Sequence, residues 1–388
     1  MDRIYLDHAA TTPVRAEVGE ALCAALEEFP GNPSSQHAWG RAARMRLEEA
    51  RERLASVLGA ARQEVFFTSG GTMADNLAVL GRWRAVRREG RGGAVVYSAI
   101  EHKAVIGAAE AAGREGAERV VLAVDGEGRV EPASLDEALR AEPVVVSVMW
   151  GNNEVGVLQP VAEIAARCRD AGVVFHTDAV QALGKVPVRV DRIPVDLLTV
   201  TAHKIGGPKG IGALYVRQGV AVEPLVHGGG QERGLHPGTE NVAGAVAFAL
   251  AAELAERERG VEAARLAALR DRLQALLLER VDGLIVNAGG APRLPHILNV
   301  SLPDTDQEAL LIALDLEGVA VSSGSACQSG TIEPSHVLIA MGRGDPEEAS
   351  IRFSVGRTTT VEMVEVAAER FANVVARVRR GQASPSRG

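Results

Sequence analysis

Two residue types in this sequence could do covalent chemistry, a lysine and a cysteine. Lys204 follows the apolar run Val195–Val200 and precedes a glycine-rich turn. A lysine at the end of a buried strand is costly to desolvate as a cation, but its neutral amine can attack a carbonyl carbon. The chain has only four lysines to consider for that role: Lys103, Lys185, Lys204 and Lys209.

Cys327 lies in the small, polar stretch SSGSACQSG and has no apolar neighbours to bury it, which makes it the candidate nucleophile. Cys23 and Cys168 fall within helical patterns, where we expect them to be small core hydrophobes. Three cysteines without CxxC spacing argue against a disulfide framework or a zinc site. We therefore expect no intrinsic metal, and a reducing cytoplasm.

Polar turns follow several predicted strands, and in an open parallel sheet such turns meet at the carboxyl edge. Ser69-Gly70-Gly71-Thr72 precedes a helix, so it is either a capped turn or an anion site. Asp178 could cap a helix or hold a proton on a pyridinium nitrogen, and Lys204 one strand later favours the second role. Arg352, after a short β-like run, could bind a carboxylate or form a surface ion pair.

The composition is that of a soluble globular protein, with 46% hydrophobic and 24% charged residues. A net charge of −8 gives no reason to expect nucleic acid. We also expect neither a secretory signal nor a membrane span, because the start lacks a basic region and no apolar run approaches about 20 residues.

Short apolar strands alternate with helices through the first two thirds of the chain, which predicts a largely parallel sheet in a three-layer α/β architecture. The predicted strands are Val65–Thr68, Ala94–Ser98, Val120–Val124, Val144–Met149, Val173–His176, Val195–Val200 and Ala213–Val216. The predicted helices are Ser35–Leu58, with Ser34 or Ser35 as N-cap, then Met73–Arg88, Lys103–Gly113, Ser134–Ala141 and Val161–Ala171.

The pattern changes after Thr239. Residues 240–281 predict two helices with a joint near Gly260, followed by three more strands and a terminal helix, Val361–Val378. The strands are His296–Leu302, Val319–Ser322 and Ser350–Ser354. We therefore predict a large domain of residues 14–257, a smaller α+β domain of residues 1–13 and 258–378 that carries the cysteine loop, and a disordered tail, 379–388.

A series of motifs resembles the cysteine desulfurases of the NifS/IscS type over nearly the whole chain. It includes TSGGTMADN, EHKAV, NNEVG, HTDAVQ, TAHKIGGPKGIGALYV, PGTEN, SSGSACQSG and SIRFSVGR. The resemblance implies a fold-type I, class V aminotransferase-like homodimer that uses pyridoxal 5'-phosphate in shared active sites. It also implies removal of sulfur from L-cysteine, giving L-alanine and a persulfide for an acceptor protein in iron–sulfur cluster assembly or tRNA thiolation.

Matching positions imply a role for each site residue. Lys204 would hold the cofactor and act as base, His102 would stack on its ring and move protons, and Cys327 would attack sulfur. Cys327 could also be a transient iron–sulfur ligand. Arg352 would bind the substrate carboxylate, and Asn153 would orient cofactor or substrate. The remaining cofactor contacts would be Asp178 at the ring nitrogen, Gln181 at the ring hydroxyl, and Gly71, Thr72, Thr201, His203 and, from the other subunit, Thr239 at the phosphate.

The chain departs from the family pattern at three positions and at its C-terminal tail: Met73 replaces an acidic residue, His236 replaces an arginine, Thr201 stands where serine is common, and the tail lacks the family's aromatic-containing ending. Three alternatives remain beside the main hypothesis. One is a selenocysteine lyase or another class V aminotransferase-like enzyme. Another is an inactive sulfur carrier, which should have lost Lys204 or Cys327. The third is a serine hydrolase suggested by the HGGG sequence at 227–230, and it fails because no GxSxG motif occurs.

Overall fold

The computed structural model describes residues 3–323, 335–345 and 348–382. Its strands, in chain order, are β1 (Ile4–Tyr5), β2 (Val65–Thr68), β3 (Ala94–Ser98), β4 (Glu118–Leu122), β5 (Val145–Ser147), β6 (Phe175–Asp178), β7 (Leu197–Thr201), β8 (Gly212–Val216), β9 (Ile285–Val286), β10 (Ile297–Leu302), β11 (Val319–Ala320) and β12 (Ala349–Ser354). Its α-helices are α1 (Ala16–Glu28), α2 (Ala38–Leu58), α3 (Gly71–Asn76), α4 (Arg82–Arg88), α5 (Lys103–Arg114), α6 (Pro132–Leu139), α7 (Val161–Asp170), α8 (Val242–Arg280), α9 (Gln307–Leu316), α10 (His336–Ala340) and α11 (Val361–Gln382).

Seven strands form the central sheet in the order β2-β8-β7-β6-β5-β3-β4. All run parallel except β8, which is antiparallel to both of its neighbours. Every residue of β3, β5, β6, β7 and β8 is buried, as expected for strands covered on both faces. The prediction of a largely parallel, three-layer α/β fold is confirmed.

Helices cover both faces of this sheet. One apolar cluster joins the sheet to α2, α6, α7 and the first half of α8. On the opposite face, α3 continues through a π-helical segment, Leu77–Gly81, into α4, and these segments pack with α5 against the sheet. The polar turns at the carboxyl ends of the strands therefore lie between the two helical layers.

A second apolar core lies in the C-terminal part of the chain. It contains the antiparallel sheet β12-β10-β9, the parallel pair β1–β11, helices α9 and α11, and the second half of α8. The boundary that we predicted between residues 257 and 258 falls inside α8. The N-terminal strand reaches this core from the other end of the chain, so the start of the protein and its C-terminal third fold together.

The predicted joint near Gly260 is wrong, because α8 is one continuous helix of 39 residues. A glycine inside a helix costs only about 1 kcal/mol relative to alanine, which is too little to break it. The two halves of α8 contact different cores, with alanines such as Ala249 facing the first and leucines such as Leu273 facing the second. Because the two halves of α8 pack against different cores, their sequence resembles that of two separate helices.

Other boundaries also differ from the predictions. α2 begins at Ala38 with His37 as its cap, because the His37 ring accepts a hydrogen bond from the Gly40 amide, and neither Ser34 nor Ser35 serves. α1 and β1 were not predicted. α11 continues to Gln382, four residues into the predicted tail, and residues 383–388 lie outside the described part. No helix among the described residues is long and apolar enough to cross a membrane.

Candidate active site

A cavity of about 330 Å³ opens at the carboxyl edge of the central sheet, where it meets the second core. Ten of the predicted site residues line it together: Gly71, Thr72, His102, Asn153, Asp178, Gln181, Thr201, His203, Lys204 and Arg352. Thr239 does not line the cavity and is exposed on this chain. Cys327 lies outside the described residues.

Lys204 ends a short 3₁₀ turn, Ala202–Lys204, directly after β7. Its Nζ donates hydrogen bonds to the backbone oxygens of Ala9 and Ala10, both at 2.6 Å. Burial, helped by the positive charge of Arg352, lowers the pKa of Lys204 to about 8, although Asp178 and Asp7 act in the opposite direction. A substantial fraction of this amine is therefore neutral slightly above neutral pH.

Asp178 is the last residue of β6 and is buried. Its Oδ1 accepts a hydrogen bond from the Val180 amide at 2.8 Å. Burial raises the pKa of Asp178, while His102, the Val180 amide and Lys204 favour its charged form. A carboxylate in this position is most stable when a cationic ligand group lies against it.

His102 caps α5, and its Nδ1 accepts a hydrogen bond from the Ala104 amide at 3.1 Å. This bond assigns the proton of the neutral ring to Nε2, because a nitrogen that accepts carries no hydrogen. The ring lines the cavity, and removal from water is the main reason why its pKa is lowered. His102 can therefore donate and receive a proton through Nε2.

The remaining donors of the cavity cluster where α3 begins. Gly70 has a φ of 147°, and a side chain at Gly71 would stand 3.2 Å from a Val180 methyl, so both glycines let the backbone approach the cavity. Thr201 donates its hydroxyl to the Ile211 carbonyl at 3.0 Å. Burial lowers the pKa of His203 to about 4, so this ring is neutral. The amides at the start of α3 and the neutral His203 ring can donate to an anion, whereas the Thr201 hydroxyl would first have to leave the Ile211 carbonyl.

Arg352 lies within β12, and its guanidinium is already partly engaged. Nη2 pairs with Asp7 Oδ1 at 2.7 Å, and Nη1 donates to the Asn153 backbone oxygen at 3.0 Å. Nε has no hydrogen-bond partner within the described ranges. A ligand carboxylate would therefore meet an arginine that is held in place by Asp7 and is still able to donate. The alternative that Arg352 forms only a surface ion pair is wrong, since its side chain is 6% exposed.

Sequence reasoning missed several groups at this site. The Ala9 and Ala10 carbonyls belong to the backbone, so no residue type in the sequence marks them. Asp7 was assigned no role from the sequence. Two buried carboxyls were also missed. Asp75 lines the cavity, and burial together with Asp178 raises its pKa well above the usual value. Burial raises the pKa of Glu101 to about 8. An acidic residue at the end of an apolar strand was the available signal for Glu101.

The described chain reaches the cavity shortly before Cys327. Ser322 and Ser323 line it, and Ser322 exchanges backbone hydrogen bonds with Arg352.

Cys168 is a buried thiol as expected, and burial raises its pKa to about 12. The expectation that Cys23 is a core residue is wrong, because Cys23 is exposed on α1.

The sheet, the second core and this cavity together define a two-core α/β protein whose cavity is lined by a lysine, a buried carboxylate and an arginine. The profile of the family named Aminotransferase class-V matches residues 4–366, and the chain belongs to that family.

Relatives and structures narrow the likeness to one branch of the family. The chain is 43% identical to "Cysteine desulfurase IscS" of Dictyoglomus turgidum, over 97% of this chain and 95% of that protein. It is 46% identical to the protein of the same name from Anaeromyxobacter dehalogenans, over 97% and 93%. A solved "NIFS-LIKE PROTEIN" superposes with a TM-score of 0.89 at 35% identity, covering 96% of this chain and 99% of that one. The predicted resemblance is confirmed.

Proposed function

We propose that this protein is a cysteine desulfurase that uses pyridoxal 5'-phosphate to remove sulfur from L-cysteine. L-alanine is released, and the sulfur remains as a persulfide on Cys327. The observation that carries the proposal is that Lys204, Asp178 and Arg352 line one cavity, in a chain whose relatives bear that enzyme's name. Ser322 and Ser323, which precede Cys327 in the chain, line the same cavity.

The residues of the cavity fit this cofactor. Lys204 offers an amine of lowered pKa to an aldehyde, and the buried Asp178 offers a carboxylate to a protonated ring nitrogen. Gln181 would meet the ring hydroxyl, and Gly71, Thr72, Thr201 and His203 would hold the phosphate. When bound, pyridoxal phosphate supplies an electron sink that makes the α-proton of an amino acid acidic.

The side chains of this protein then bind the substrate and move its protons. Arg352 binds the carboxylate of L-cysteine, and Asn153, whose backbone oxygen contacts the same guanidinium, helps to orient the molecule. Lys204 Nζ, as a neutral amine, takes the α-proton. His102 Nε2, on another wall of the cavity, relays a proton.

Sulfur transfer requires the thiolate of Cys327. That thiolate forms a bond to the substrate sulfur, the carbon–sulfur bond breaks with its electron pair left on carbon, and the carbon is protonated to give L-alanine. Ser323 lines the cavity four residues before Cys327, and four residues span at most about 14 Å. The persulfide would pass to an acceptor protein, such as an iron–sulfur scaffold or a tRNA-thiolation carrier.

The proposal includes a homodimer in the cytoplasm. Thr239 is exposed and absent from the cavity of its own chain, which suits a contact with the cofactor phosphate in a second subunit. An exposed free thiol at Cys23 suits a reducing compartment. Mixing an inactive Lys204→Ala chain with an inactive Thr239→Val chain should restore part of the activity only if the subunits share sites.

The proposal is tested with purified protein and L-cysteine, measuring alanine and sulfide in the presence of a thiol reductant. We expect Cys327→Ala to keep the visible absorption of the bound cofactor and to lose sulfide release by at least a hundredfold. Cys168→Ala is the matched control and should stay active, because that thiol is buried away from the cavity. A Cys327→Ala variant with normal activity would refute the assignment.

A further inference from the structure

A second cavity, of about 210 Å³, lies beside the active site and shares Lys204 with it. Residues from the N-terminal segment, the large core and the second core line it, including His8, Arg15, Lys185, Glu262, His296 and Gly356. None of these residues has a part in the proposed desulfurase reaction. We refer to this space as the rear cavity.

Three buried polar side chains on the wall of the rear cavity have polar atoms without a partner within the described ranges. His8 is 3% exposed, and neither ring nitrogen has a partner at normal hydrogen-bond geometry, although the Tyr5 backbone lies near enough to favour the charged form of the ring. His296 is 3% exposed, and its Nδ1 is unbonded. Arg15 is 9% exposed, and its Nη1 is unbonded although its Nη2 pairs with Glu258 at 2.9 Å. Buried polar atoms are rarely left unsatisfied, so these groups indicate a polar ligand.

The charge of the rear cavity favours an anion. Lys185 lies close enough to His8 and His296 for its charge to lower the pKa of both rings, and burial is the larger cause in each case. Two carboxylates face the same space, but both are paired. Glu258 binds Arg15, and Glu262 binds Arg265 at 2.7 Å. Lys185 and the free edge of Arg15 therefore leave an excess of positive charge.

Two glycines on the wall of the rear cavity allow close packing of the elements around it. Gly184 and Gly206 have φ values of 70° and 84°. A side chain at Gly184 would stand 2.8 Å from the Ala255 Cβ, and one at Gly206 would stand 2.7 Å from the Arg15 Cγ. These glycines therefore pack against Ala255 and Arg15, and a ligand must fit the volume of about 210 Å³ that remains.

We propose that the rear cavity is a binding site for a small oxyanion, either an inorganic oxyanion of the size of sulfate or a simple carboxylate. Arg15, Lys185 and His8 are its donors, while His296, whose Nε2 hydrogen is used on Gln181 Oε1, can only accept through Nδ1. The site is connected to the active site through one short path. His296 Nε2 lies 3.2 Å from Gln181 Oε1, Gln181 Nε2 donates to the Ala9 oxygen at 2.9 Å, and the same oxygen accepts from Lys204.

The test is calorimetric titration of the holoenzyme with sodium sulfate and, separately, with sodium acetate, both at constant ionic strength maintained with sodium chloride. We expect saturable binding of at least one anion and at least tenfold weaker binding in Lys185→Met, which removes the charge but keeps the side-chain length. Sulfate alone would identify an inorganic ligand, and acetate alone a carboxylate. Arg192→Met, an exposed change elsewhere, should bind like the parent protein.

A second variant keeps the test decisive if Lys185→Met does not fold. Glu262→Gln removes a negative charge that faces the rear cavity, so it should bind the anion more tightly than the parent protein. If neither sulfate nor acetate binds saturably, the proposal is overturned. Equal binding by Lys185→Met and the parent protein would overturn it as well, because it would place the ion at Arg352 or on the surface. Weaker binding by Glu262→Gln would also overturn it.

Discussion

Lys204 shows how one side chain is prepared by groups of opposite effect. Its two hydrogen bonds to the Ala9 and Ala10 carbonyls fix the position of the nitrogen, and any amine can donate them, charged or neutral. Burial and Arg352 favour loss of the proton, whereas Asp178 and Asp7 oppose it. The result is an amine that is held in one place and is still able to become a nucleophile.

The rate at which the apoprotein reacts with pyridoxal phosphate should show the pKa of Lys204. Because the neutral form attacks the aldehyde and the pKa is about 8, the rate should rise with pH through a midpoint near pH 8, well below the ordinary lysine value near 10.4. Stopped-flow absorbance measures the rate. In Asp178→Asn the midpoint should move to lower pH, because a carboxylate that raises this pKa is gone. A midpoint near 10 in the parent protein would contradict the assignment.

Arg352 should determine substrate affinity more than turnover. Its two terminal nitrogens bond to Asp7 and to the Asn153 backbone, so the plane of its fork is fixed before a ligand arrives. A lysine is a point charge without this fork. We expect Arg352→Lys to raise the KM for L-cysteine about 10- to 100-fold with a smaller loss in kcat, since one charge-assisted hydrogen bond contributes about 1.5–3 kcal/mol.

The control for that variant is Arg167→Lys, which changes a partly exposed arginine on α7 and should leave KM and kcat as they are. Steady-state kinetics with L-cysteine distinguish the two effects. If Arg352→Lys lowered kcat alone and left KM unchanged, Arg352 would act on the chemistry and not on binding.

At the scale of elements, α8 links the two cores because it does not break. Its alanines pack under the central sheet, and its leucines pack under the second sheet. Gly260 lies between these two faces, is exposed, and has no atom within 4 Å of the position that a Cβ would occupy. Gly260 itself therefore adds no side-chain packing to the middle of the helix.

Gly260→Ala should stabilise the protein by about 1 kcal/mol, because alanine has the higher helix propensity and fits without a clash. Chemical denaturation followed by far-UV circular dichroism measures the change. Gly244→Ala, in the first turn of the same helix, is the matched comparison. It should destabilise, since its Cβ would collide with the Asn241 side chain that caps the helix. A loss of stability in Gly260→Ala would show that the helix needs flexibility at this point.

The elements that sequence predicts well are those whose burial is uniform. β3 and the strands on either side of Lys204 are buried at every position and mostly apolar, so their positions follow from composition. The sequence pattern of α8 depends on which core each half contacts, and the sequence alone does not show those contacts. For this reason the single helix was predicted as two. The sequence likewise does not show the contacts of β1, two residues long, which exists only because Val319 and Ala320 lie beside it.

The candidate site divides in the same way. Side chains with unusual chemistry after a strand, such as Asp178 and Lys204, could be predicted and do line the cavity. The backbone carbonyls that hold Lys204 come from a segment almost 200 residues away, and no residue type marks them. Asp7 could be read only as one acidic residue among many, until the pairing of β1 with β11 brought it to Arg352.

At the scale of the whole molecule, the N-terminal segment joins the two cores at the active site. β1 pairs within the second core, Asp7 binds Arg352, and Ala9 and Ala10 accept from Lys204. Thr12 completes the link, because its hydroxyl donates to the His203 carbonyl at 2.9 Å and accepts from the Gly206 amide at 2.8 Å. Movement of one core relative to the other must therefore change the surroundings of Lys204.

Buried carboxyls should make the stability of the whole molecule depend on pH, and Glu101 is the clearest case. Its Oε1 accepts from the Ser98 hydroxyl at 2.6 Å and from the Met149 amide at 2.7 Å, while burial raises its pKa from 4.5 to about 8. Between these values the folded protein holds a proton that the unfolded chain has released. The resulting stability is complete below about pH 4.5 and is lost as the pH rises towards 8.

Glu101→Gln should remove this dependence while keeping an oxygen that can accept both hydrogen bonds. Relative to the parent protein, the variant should therefore gain on the order of 3 kcal/mol in unfolding free energy between about pH 5 and pH 8. Urea denaturation at the two pH values measures the difference, and the contributions of the other titrating groups cancel between the two proteins. Glu137→Gln on the exposed side of α6 should show no such change. A constant difference between Glu101→Gln and the parent would mean that Glu101 is charged in the folded protein, held so by its two hydrogen bonds.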